Sequence, residues 1–402
     1  MDQGEVGKPN VTKLLTILAV LLLAGVACAQ KVIPAKTVTA SGLQLETLME
    51  LCGEHPRRSV LQAMPYVKGD WISSAAKCRE PVVRDLVFEG HKVGGKYFVG
   101  EYSWPKDFPV DKFPQLYNIN FNASGGTYKN IRIRYLPGEI RWTRGFSTHE
   151  WDVDDNPENV IENVIVKHCY GPVRLDAGDA VVDNLIVSCT RSGIVVEAPT
   201  QLGTVHAYAC GDAAIHFVDY GVTTGSANVY GESSPYGMIV DTNNVHLAYF
   251  HSINCWVACA LIKKPVTILD SYCKTNENKP AWQINYGGRD SQIAGKVVIL
   301  KGGTGIELGA SDCDLNLNAG GVGLGNGTTY LRVTGRIDRC RIYGRVWGCD
   351  TVLDLREMPP SSWGNRFEIM SKGNGEAVLW PEKWNPSNKV FVNGGEQLPE
   401  GT

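Results

Sequence analysis

Short runs rich in β-branched residues recur along this 402-residue chain at a nearly constant spacing. Gly, Asp, Ser and Asn flank the runs, which is typical of strands joined by turns. Successive runs start 21 residues apart at Asn163 and Asn184, and 23 residues apart at Asn365 and Asn388. The runs of this first set are Asp85–Phe88, Asn118–Phe121, Asn130–Ile133, Asn163–Val166, Asn184–Val187, Asn244–Leu247, Asn365–Ile369 and Asn388–Val392.

A second set of runs lies between those of the first set. In most of them the first and third residues are apolar, which predicts strands whose first and third side chains point inward while the second points outward. Two short strands per period, with no helix between them, predict a parallel solenoid with one coil per period and about 4.8 Å between coils. The second set comprises Val173–Asp176, Ile194–Glu197, Ile215–Asp219, Met238–Asp241, Leu261–Lys264, Trp282–Asn285 and Ile306–Gly309.

The composition is that of a globular protein, with 43% apolar and 20% charged residues. Such a chain is not largely disordered. Lys and Arg together number 39, against 42 Asp and Glu. Because there is no basic excess, we expect no nucleic-acid partner.

The N-terminus has the pattern of an export signal. Lys8 and Lys13 precede an apolar run at 14–29, which ends in Ala27-Cys28-Ala29 before Gln30. The run is shorter than the roughly 20 residues of a membrane span, so we interpret it as a cleaved signal peptide. A lipoprotein anchored at Cys28 and an uncleaved anchor remain alternatives. We expect a secreted, periplasmic or cell-surface protein with no membrane contact after cleavage.

The segment at 41–64 differs from the repeat. Ser41–Gln44 resembles a helix capping box, and Leu43, Leu48 and Leu51 are spaced to line one face of a helix. A parallel solenoid has an apolar end that needs covering. We therefore expect an N-terminal helical cap here.

Three tryptophans near the C-terminus, Trp363, Trp380 and Trp384, are expected to help close the other end. The caps make the mature chain one domain. The predicted organisation is a signal peptide at 1–29, an N-terminal extension and cap at 30–81, a parallel β-helix at 82–393 and a C-terminal tail at 394–402.

The period and strand pattern resemble the right-handed parallel β-helix proteins of the pectate-lyase-like superfamily over roughly residues 82–393. The resemblance implies an all-β, right-handed, single-stranded parallel β-helix and a polysaccharide substrate. The polygalacturonase set of motifs (Asn-x-Asp, Asp-Asp, Gly-His-Gly, Arg-x-Lys) is not found, nor is a pectate lyase, alginate lyase or alginate epimerase signature. The resemblance therefore supplies a fold and a substrate class but no catalytic residues.

Two kinds of repeated residue are interpreted as structural. Cys169, Cys189 and Cys210 are spaced 20 and 21 residues apart and are expected to stack as buried free thiols. Disulfides between neighbouring coils are the alternative, although parallel stacking makes their geometry difficult. The repeated Asn is expected to be a turn residue that bonds nearby backbone.

The second set of strands ends in a row of acids. Asp176, Glu197, Asp219 and Asp241 are spaced 21, 22 and 22 residues apart, so we expect them to stack along one edge of the solenoid. Solvated turn acids are one interpretation, because Asp favours turns. A calcium site is the other, because Ca²⁺ takes six to eight oxygen ligands.

A basic side chain beside such a row is what the β-helix polyuronate lyases that the chain resembles require. Lys264 follows the acids in the row, and Arg174 and His216 lie on the outward face of the same strands. We therefore predict Lys264, His216 and Arg174 as catalytic residues: a base takes the proton α to the uronate carboxylate, and a cation stabilises the developing charge. His216 as a plain polar residue on a wet sheet face is the alternative.

Other polar and aromatic clusters are weaker candidates. The acidic loop at 149–158 fails the EF-hand pattern and is interpreted as solvated, with calcium or sugar binding as the alternative. His206 and His246 are expected to share another face of the solenoid. Aromatic residues that stack on sugars crowd the middle coils, although Trp282 is expected in the core. These aromatic residues are Tyr220, Tyr230, Tyr236, Trp256 and Trp282.

The leading functional hypothesis is a secreted lyase that cleaves an acidic glycan by β-elimination. A glycoside hydrolase is the second, because carboxylates one coil apart suit retention and those two coils apart suit inversion. A non-catalytic glycan-binding or structural solenoid is the third. The oligomeric state is not predicted.

Overall fold

The computed structural model describes residues 30–64, 67, 69–75, 78–90, 92–93, 96–97, 117–143, 158–176, 178, 180–188, 190–219 and 227–399. Within these ranges the chain is almost entirely strands and turns, with one 3₁₀ helix at Tyr286–Gly288. No helix among the described residues is long and apolar enough to cross a membrane.

The strands, numbered in chain order, form two long sheets and one short hairpin. Sheet A has 21 strands: β1 (Gln30–Ile33), β2 (Thr37–Ala40), β4 (Glu50–Gly53), β5 (Val60–Ala63), β7 (Val82–Arg84), β8 (Val87–Glu89), β12 (Thr127–Lys129), β13 (Arg132–Arg134), β15 (Val160–Lys167), β17 (Ala180–Ser188), β19 (Thr200–Leu202), β20 (Thr204–Tyr208), β22 (Asn228–Glu232), β24 (Val245–Ile253), β26 (Val266–Lys274), β28 (Gln292–Ile299), β30 (Asp314–Gly321), β32 (Arg341–Trp347), β34 (Arg366–Lys372), β36 (Lys389–Val392) and β37 (Gly395–Gln397). Sheet B has 14 strands: β3 (Leu43–Leu45), β6 (Gly69–Ser74), β11 (Tyr117–Asn122), β14 (Ile140–Thr143), β16 (Val173–Asp176), β18 (Ile194–Val196), β21 (Ala213–Phe217), β23 (Tyr236–Val240), β25 (Ala258–Ile262), β27 (Pro280–Ile284), β29 (Thr304–Leu308), β31 (Thr329–Val333), β33 (Thr351–Asp354) and β35 (Glu376–Leu379). The hairpin pairs β9 (Lys92–Val93) with β10 (Lys96–Tyr97).

Each sheet grows by one parallel pairing per coil. In sheet A, for example, β15 pairs in parallel with β17, and β24 with β26. Among the described strands, β9–β10 and β36–β37 are the antiparallel pairs. The predicted all-β parallel β-helix is therefore confirmed.

The core lies between the two sheets and follows the predicted alternation. On β16, Val173 and Leu175 are fully buried while Arg174 points outward. Trp282 is also fully buried, as predicted, and its ring packs against Phe250 with 5.6 Å between ring centroids.

The described cysteines are buried, as predicted. All ten of them are buried thiols outside any disulfide. They include Cys169 and Cys210 of the predicted ladder, whereas Cys189 lies outside the described residues.

Sheet A bends where a single Asn or Asp adopts the left-handed backbone conformation. The φ angles are 58° at Asp85, 55° at Asn130, 56° at Asn163 and 51° at Asn184. The side-chain amide of Asn130 donates to Asp85 (2.8 Å), that of Asn163 to Asn130 (3.3 Å) and that of Asn184 to Asn163 (2.6 Å). Because Asn and Asp adopt this conformation more readily than other residues with a side chain, the repeated Asn is structural, as predicted. Its side chains bond to one another from coil to coil.

The predicted N-terminal helix at 41–64 is not confirmed. This segment contains β3, β4 and β5, and β4 pairs in parallel with β1 and β7. Leu48 is exposed at a left-handed turn between strands. Among the described residues, coil pairing is thus present from residue 30 onward, because pairing with the next coil satisfies the backbone better than an isolated helical turn.

The C-terminal end closes in two ways. Trp380 and Trp384 pack edge to face, 4.9 Å apart, and both lie partly buried against the core, whereas Trp363 is exposed. Strand β37, within the segment predicted as a tail, folds back antiparallel on β36 and so covers that strand edge.

Replacing Asn163 tests the role of the left-handed Asn residues whose side chains bond from coil to coil. Asn163→Ala is expected to lower the free energy of unfolding by roughly 2 kcal/mol, since Ala resists the left-handed conformation and loses the side-chain bonds. Asn163→Gly is expected to cost about half as much, because Gly accepts that conformation. Urea unfolding measures both, with the exposed Asn243→Ala as control. Equal losses for Ala and Gly would contradict the backbone explanation.

Candidate functional site

The predicted acid row lies on one edge of sheet B, with one change of register. We call this column the charged edge: Asp176, Glu197, Val218, Asp241 and Lys263. The backbone N–H of each of the last four bonds to the preceding coil, at 2.9–3.0 Å. Val218 thus occupies the place predicted for Asp219, which lies one residue further on in a left-handed turn with φ 53°.

Basic side chains neutralise two of the carboxylates in the charged edge. Arg174 binds Glu139 of the preceding coil (Nε–Oε2 3.1 Å) and Glu197 of the next. Lys263 binds Asp241 (Nζ–Oδ2 2.9 Å). Two of the three acids in the column are therefore compensated by cations, and Val218 separates Glu197 from Asp241.

Asp176 is the least compensated acid of the charged edge. Burial raises the pKa of its carboxyl, and the charge of Asp219 adds to this, while Arg141 and Arg174 act in the opposite direction. A carboxyl group with a raised pKa can donate a proton.

His216 points outward from β21 beside the charged edge. Burial lowers the pKa of its imidazole, and Lys263 acts in the same direction, while Asp241 opposes it. Its Nε2 is buried and has no hydrogen-bond partner.

Lys264 is exposed and lies one residue beyond the position predicted for it, which Lys263 occupies. The predicted trio of Arg174, His216 and Lys264 is thus spread along the edge over several coils. Within the described parts of the chain, no three His, Cys, Asp or Glu side chains are grouped closely enough to hold a metal ion. The calcium site and the catalytic roles of this trio stay predictions.

The acidic loop at 149–158 lies outside the described residues except for Glu158, and Tyr220 also lies outside them. His206 and His246 do not share a column. His206 aligns with Tyr230, whereas His246 aligns with Thr267.

A second polar cluster lies on the outer surface of sheet A. Its central column consists of residues that are register partners from coil to coil. We call this cluster the histidine–tyrosine face, and it comprises His206, Tyr230, His251 and Tyr272 of the column together with Glu232 and Tyr249. Outward positions of parallel strands place these side chains one coil apart.

The rings of the column lie against one another. His206 and Tyr230 have centroids 5.7 Å apart, as do Tyr230 and His251, and His251 stacks on Tyr272 at 5.3 Å and 19°. All four side chains are partly exposed. An aromatic strip that is wet on one side is a surface on which a sugar ring can stack.

Glu232 lies between two imidazoles. Its Oε1 is 3.4 Å from Nε2 of His251 and 3.7 Å from Nε2 of His206. The longer distance is outside hydrogen-bonding range, and Nε2 of His206 has no hydrogen-bond partner. Glu232 therefore faces two groups that can hold a proton.

His251 connects Glu232 to a phenol. Its Nδ1 is 3.5 Å from the hydroxyl of Tyr249, which lies two residues earlier on β24. If Nε2–H faces the carboxylate, Nδ1 is free to accept the tyrosine proton. Tyr249, His251 and Glu232 thus form a line of proton-bearing groups with the order acid, base and orienting carboxylate.

Burial shifts the pKa values of two groups in the histidine–tyrosine face. Burial lowers the pKa of His206, an effect that the charge of Glu232 opposes. Burial raises the pKa of Tyr249, and Tyr230 and Asp270 add to the effect. Both shifts favour the uncharged forms, which are the neutral imidazole of His206 and the protonated phenol of Tyr249.

Sequence reasoning named His206 and Tyr230 but not the cluster. The signal is present in the sequence. Tyr230, His251 and Tyr272 are spaced 21 residues apart, and Tyr249 and His251 are two residues apart, which places them on the same face of a strand. The outward residues of the first set of strands form columns from coil to coil, as those of the second set do, and these columns contain the cluster.

No protein-family model matches the sequence, and no curated protein matches it. The catalytic domain of GH87 alpha-1,3-glucanase in complex with nigerose is 13% identical, with a TM-score of 0.38 over 90% of this chain and 63% of its own. The pre-mature bacteriophage phi29 gene product 12 is 11% identical, with a TM-score of 0.43 over 91% and 53%. The A-module of Azotobacter vinelandii mannuronan C-5 epimerase AlgE6 is 10% identical, with a TM-score of 0.36 over 91% and 90%.

The chain thus spans less than two thirds of the glucanase and phage chains. Identities of 10–14% leave its function to be inferred from its own side chains.

Because the pKa values of His206 and His216 are lowered in the folded chain, we expect the free energy of unfolding to fall in acid. The unfolded chain, with a His pKa of about 6.5, binds protons more readily than the folded one, so stability falls as the pH drops through that value. We expect the melting temperature to decrease less between pH 7.5 and pH 5 in His206→Gln and in His216→Gln than in the wild type. The exposed His246→Gln serves as control. An unchanged pH slope in both variants would contradict the buried neutral state.

Proposed function

We propose that the protein is a glycan-active enzyme whose active centre is the histidine–tyrosine face, and that it is a lyase acting on an acidic glycan. The observation that carries the proposal is the line from Tyr249 through His251 to Glu232 within an open aromatic strip. A polymer can lie on such a surface, and the line supplies the proton transfers that β-elimination requires.

The reaction can be written on these side chains. The proton of Tyr249 passes to Nδ1 of His251, and Glu232 stabilises the resulting imidazolium. The phenolate takes the proton from the carbon next to the uronate carboxylate. A carbon–carbon double bond forms as the bond to the 4-linked oxygen breaks, and the leaving oxygen takes a proton back from Tyr249. The separations of 3.4 and 3.5 Å are long for proton transfer, and the proposal requires them to shorten when substrate binds, as catalytic contacts in free enzymes often do.

The substrate carboxylate needs a positive partner during proton removal. Lys296 follows Tyr272 as the next member of the column and is exposed, with no ion pair to a described residue. An ammonium group there opposes the charge that develops on the enolate. An acidic sugar therefore suits this face better than a neutral one.

Hydrolysis at the charged edge is the second candidate. Asp176, whose pKa burial raises, lies one coil from Glu197, and carboxyl groups about 5 Å apart suit a retaining mechanism. The ion pair between Arg174 and Glu197 argues against a free nucleophile there. The predicted lyase set of Lys264, His216 and Arg174, with calcium on the acids, would use the same edge.

Export is part of the proposal. The apolar run at 14–29 would carry the chain to a compartment in which polymeric glycans are found.

Activity assays on the chain from Gln30 test the proposal. With a panel of polyuronates and sulfated glycans, we expect a rise in the ultraviolet absorbance of unsaturated uronate. Tyr249→Phe, His251→Asn and Glu232→Gln are expected to lower kcat by roughly a hundredfold or more. Glu382→Gln, an exposed residue in a bend near the C-terminal end, is the matched control.

Other outcomes identify the alternatives. New reducing ends without the absorbance rise, lost in Asp176→Asn, would indicate a hydrolase at the charged edge. An absorbance rise that survives Glu232→Gln but is lost in Lys264→Ala or in chelator would place the active centre of the lyase at the charged edge. Binding without turnover of any glycan would indicate a non-catalytic solenoid.

A further inference from the structure

A wide groove lies further along sheet A, towards the C-terminal end. Its volume is about 650 Å³, and strands β30, β32, β34 and β36 carry most of its lining. The side chains that face a ligand there combine amides, guanidinium groups and aromatic rings: Asn316, Asn318, Tyr343, Arg345, Arg366 and Phe391.

Two arginines in the groove differ in their pairing. Arg366 pairs with Glu368, and its guanidinium lies over the ring of Phe391 at 5.0 Å from the centroid. Arg345 is exposed, and its guanidinium has no ion pair with any residue that the structure describes. Glu368 neutralises Arg366 whereas Arg345 is unpaired among the described residues, so the two arginines and Glu368 together carry a net positive charge.

Further unpaired cations lie beside the groove. Arg341 is exposed on the same strand as Arg345, and Lys296 lies two coils before it; neither forms an ion pair within the described ranges. Asn318 Oδ1 accepts a hydrogen bond from the backbone N–H of Arg345 at 2.9 Å, which fixes the amide beside the guanidinium.

We propose that this groove is a binding site for an acidic sugar unit, separate from the histidine–tyrosine face. A guanidinium binds a carboxylate or sulfate with two parallel hydrogen bonds. The rings of Tyr343 and Phe391 supply apolar faces for the sugar ring, and the amides supply partners for its hydroxyl groups. Charge, rings and amides are all needed for such a ligand, and the groove holds the three within one lining.

The groove and the histidine–tyrosine face lie on one continuous column. His251, Tyr272, Lys296, Asn318 and Arg345 occupy successive coils. Four coil steps from His251 to Arg345 span about 19 Å at 4.8 Å per step. A single polymer lying along the solenoid axis would reach both places. This part of the inference rests on the proposed function, whereas binding of an acidic oligosaccharide in the groove does not.

Binding measurements on the Glu232→Gln chain test the groove without turnover. With oligogalacturonate as the probe, titration calorimetry is expected to show binding that Arg345→Ala weakens roughly tenfold to a hundredfold and Phe391→Ala weakens several-fold. A neutral oligosaccharide of the same length is expected to bind more weakly, and higher salt is expected to weaken the acidic one. Arg57→Ala, exposed on a remote N-terminal coil, is the matched control. Unchanged affinity in Arg345→Ala, or equal affinity for neutral and acidic probes, would overturn the site.

Activity assays separate the two proposals. If the protein is a lyase, Arg345→Ala is expected to raise KM for long polymers with little change in kcat, because the group acts on binding alone. A fall in kcat with unchanged KM would contradict a binding role. If no glycan is turned over, calorimetry alone decides the groove, so loss of the proposed function leaves this inference standing.

Discussion

The parallel register between successive coils is the constraint on which the rest of the structure depends. Once backbone hydrogen bonds align one residue with its partner in the next coil, every side chain at that position joins a column. A column of one residue type either stabilises itself or repels itself. The Asn ladder shows the first case, because the amides of Asn130 and Asn163 each donate to the preceding coil and accept from the next.

Charged columns need compensation, and the charged edge shows how the chain supplies it. Glu197 and Asp241 face Arg174 and Lys263, so the acids are held by neighbouring cations. Partly exposed ion pairs of this kind add little stability on their own. Their effect is to keep like charges in adjacent coils from destabilising the stack.

The outer surface of sheet A uses the same register differently. Rings stack along the column and a carboxylate lies beside them, so His251 contacts both Glu232 and Tyr249. Further along, the column carries cations that lack partners among the described residues, and the groove begins there. One face thus carries proton-bearing groups at one place and positive charge at another, at a distance that the coil spacing determines.

The sequence by itself determined the solenoid, the inward and outward alternation, the buried cysteines and the structural role of Asn, because each follows from a period that can be read locally. It did not determine the exact register. Asp219 and Lys264 each lie one residue beyond their predicted places, because Val218 and Lys263 are the residues that directly follow the paired strand positions Phe217 and Ile262. The helix expected at 41–64 is replaced by strands: Leu43 and Leu51 lie in β3 and β4, Leu48 lies in the turn between them, and β4 pairs with adjacent coils. The tertiary structure alone placed Glu232 between His206 and His251, since side chains 26 and 19 residues away become neighbours only when the coils stack.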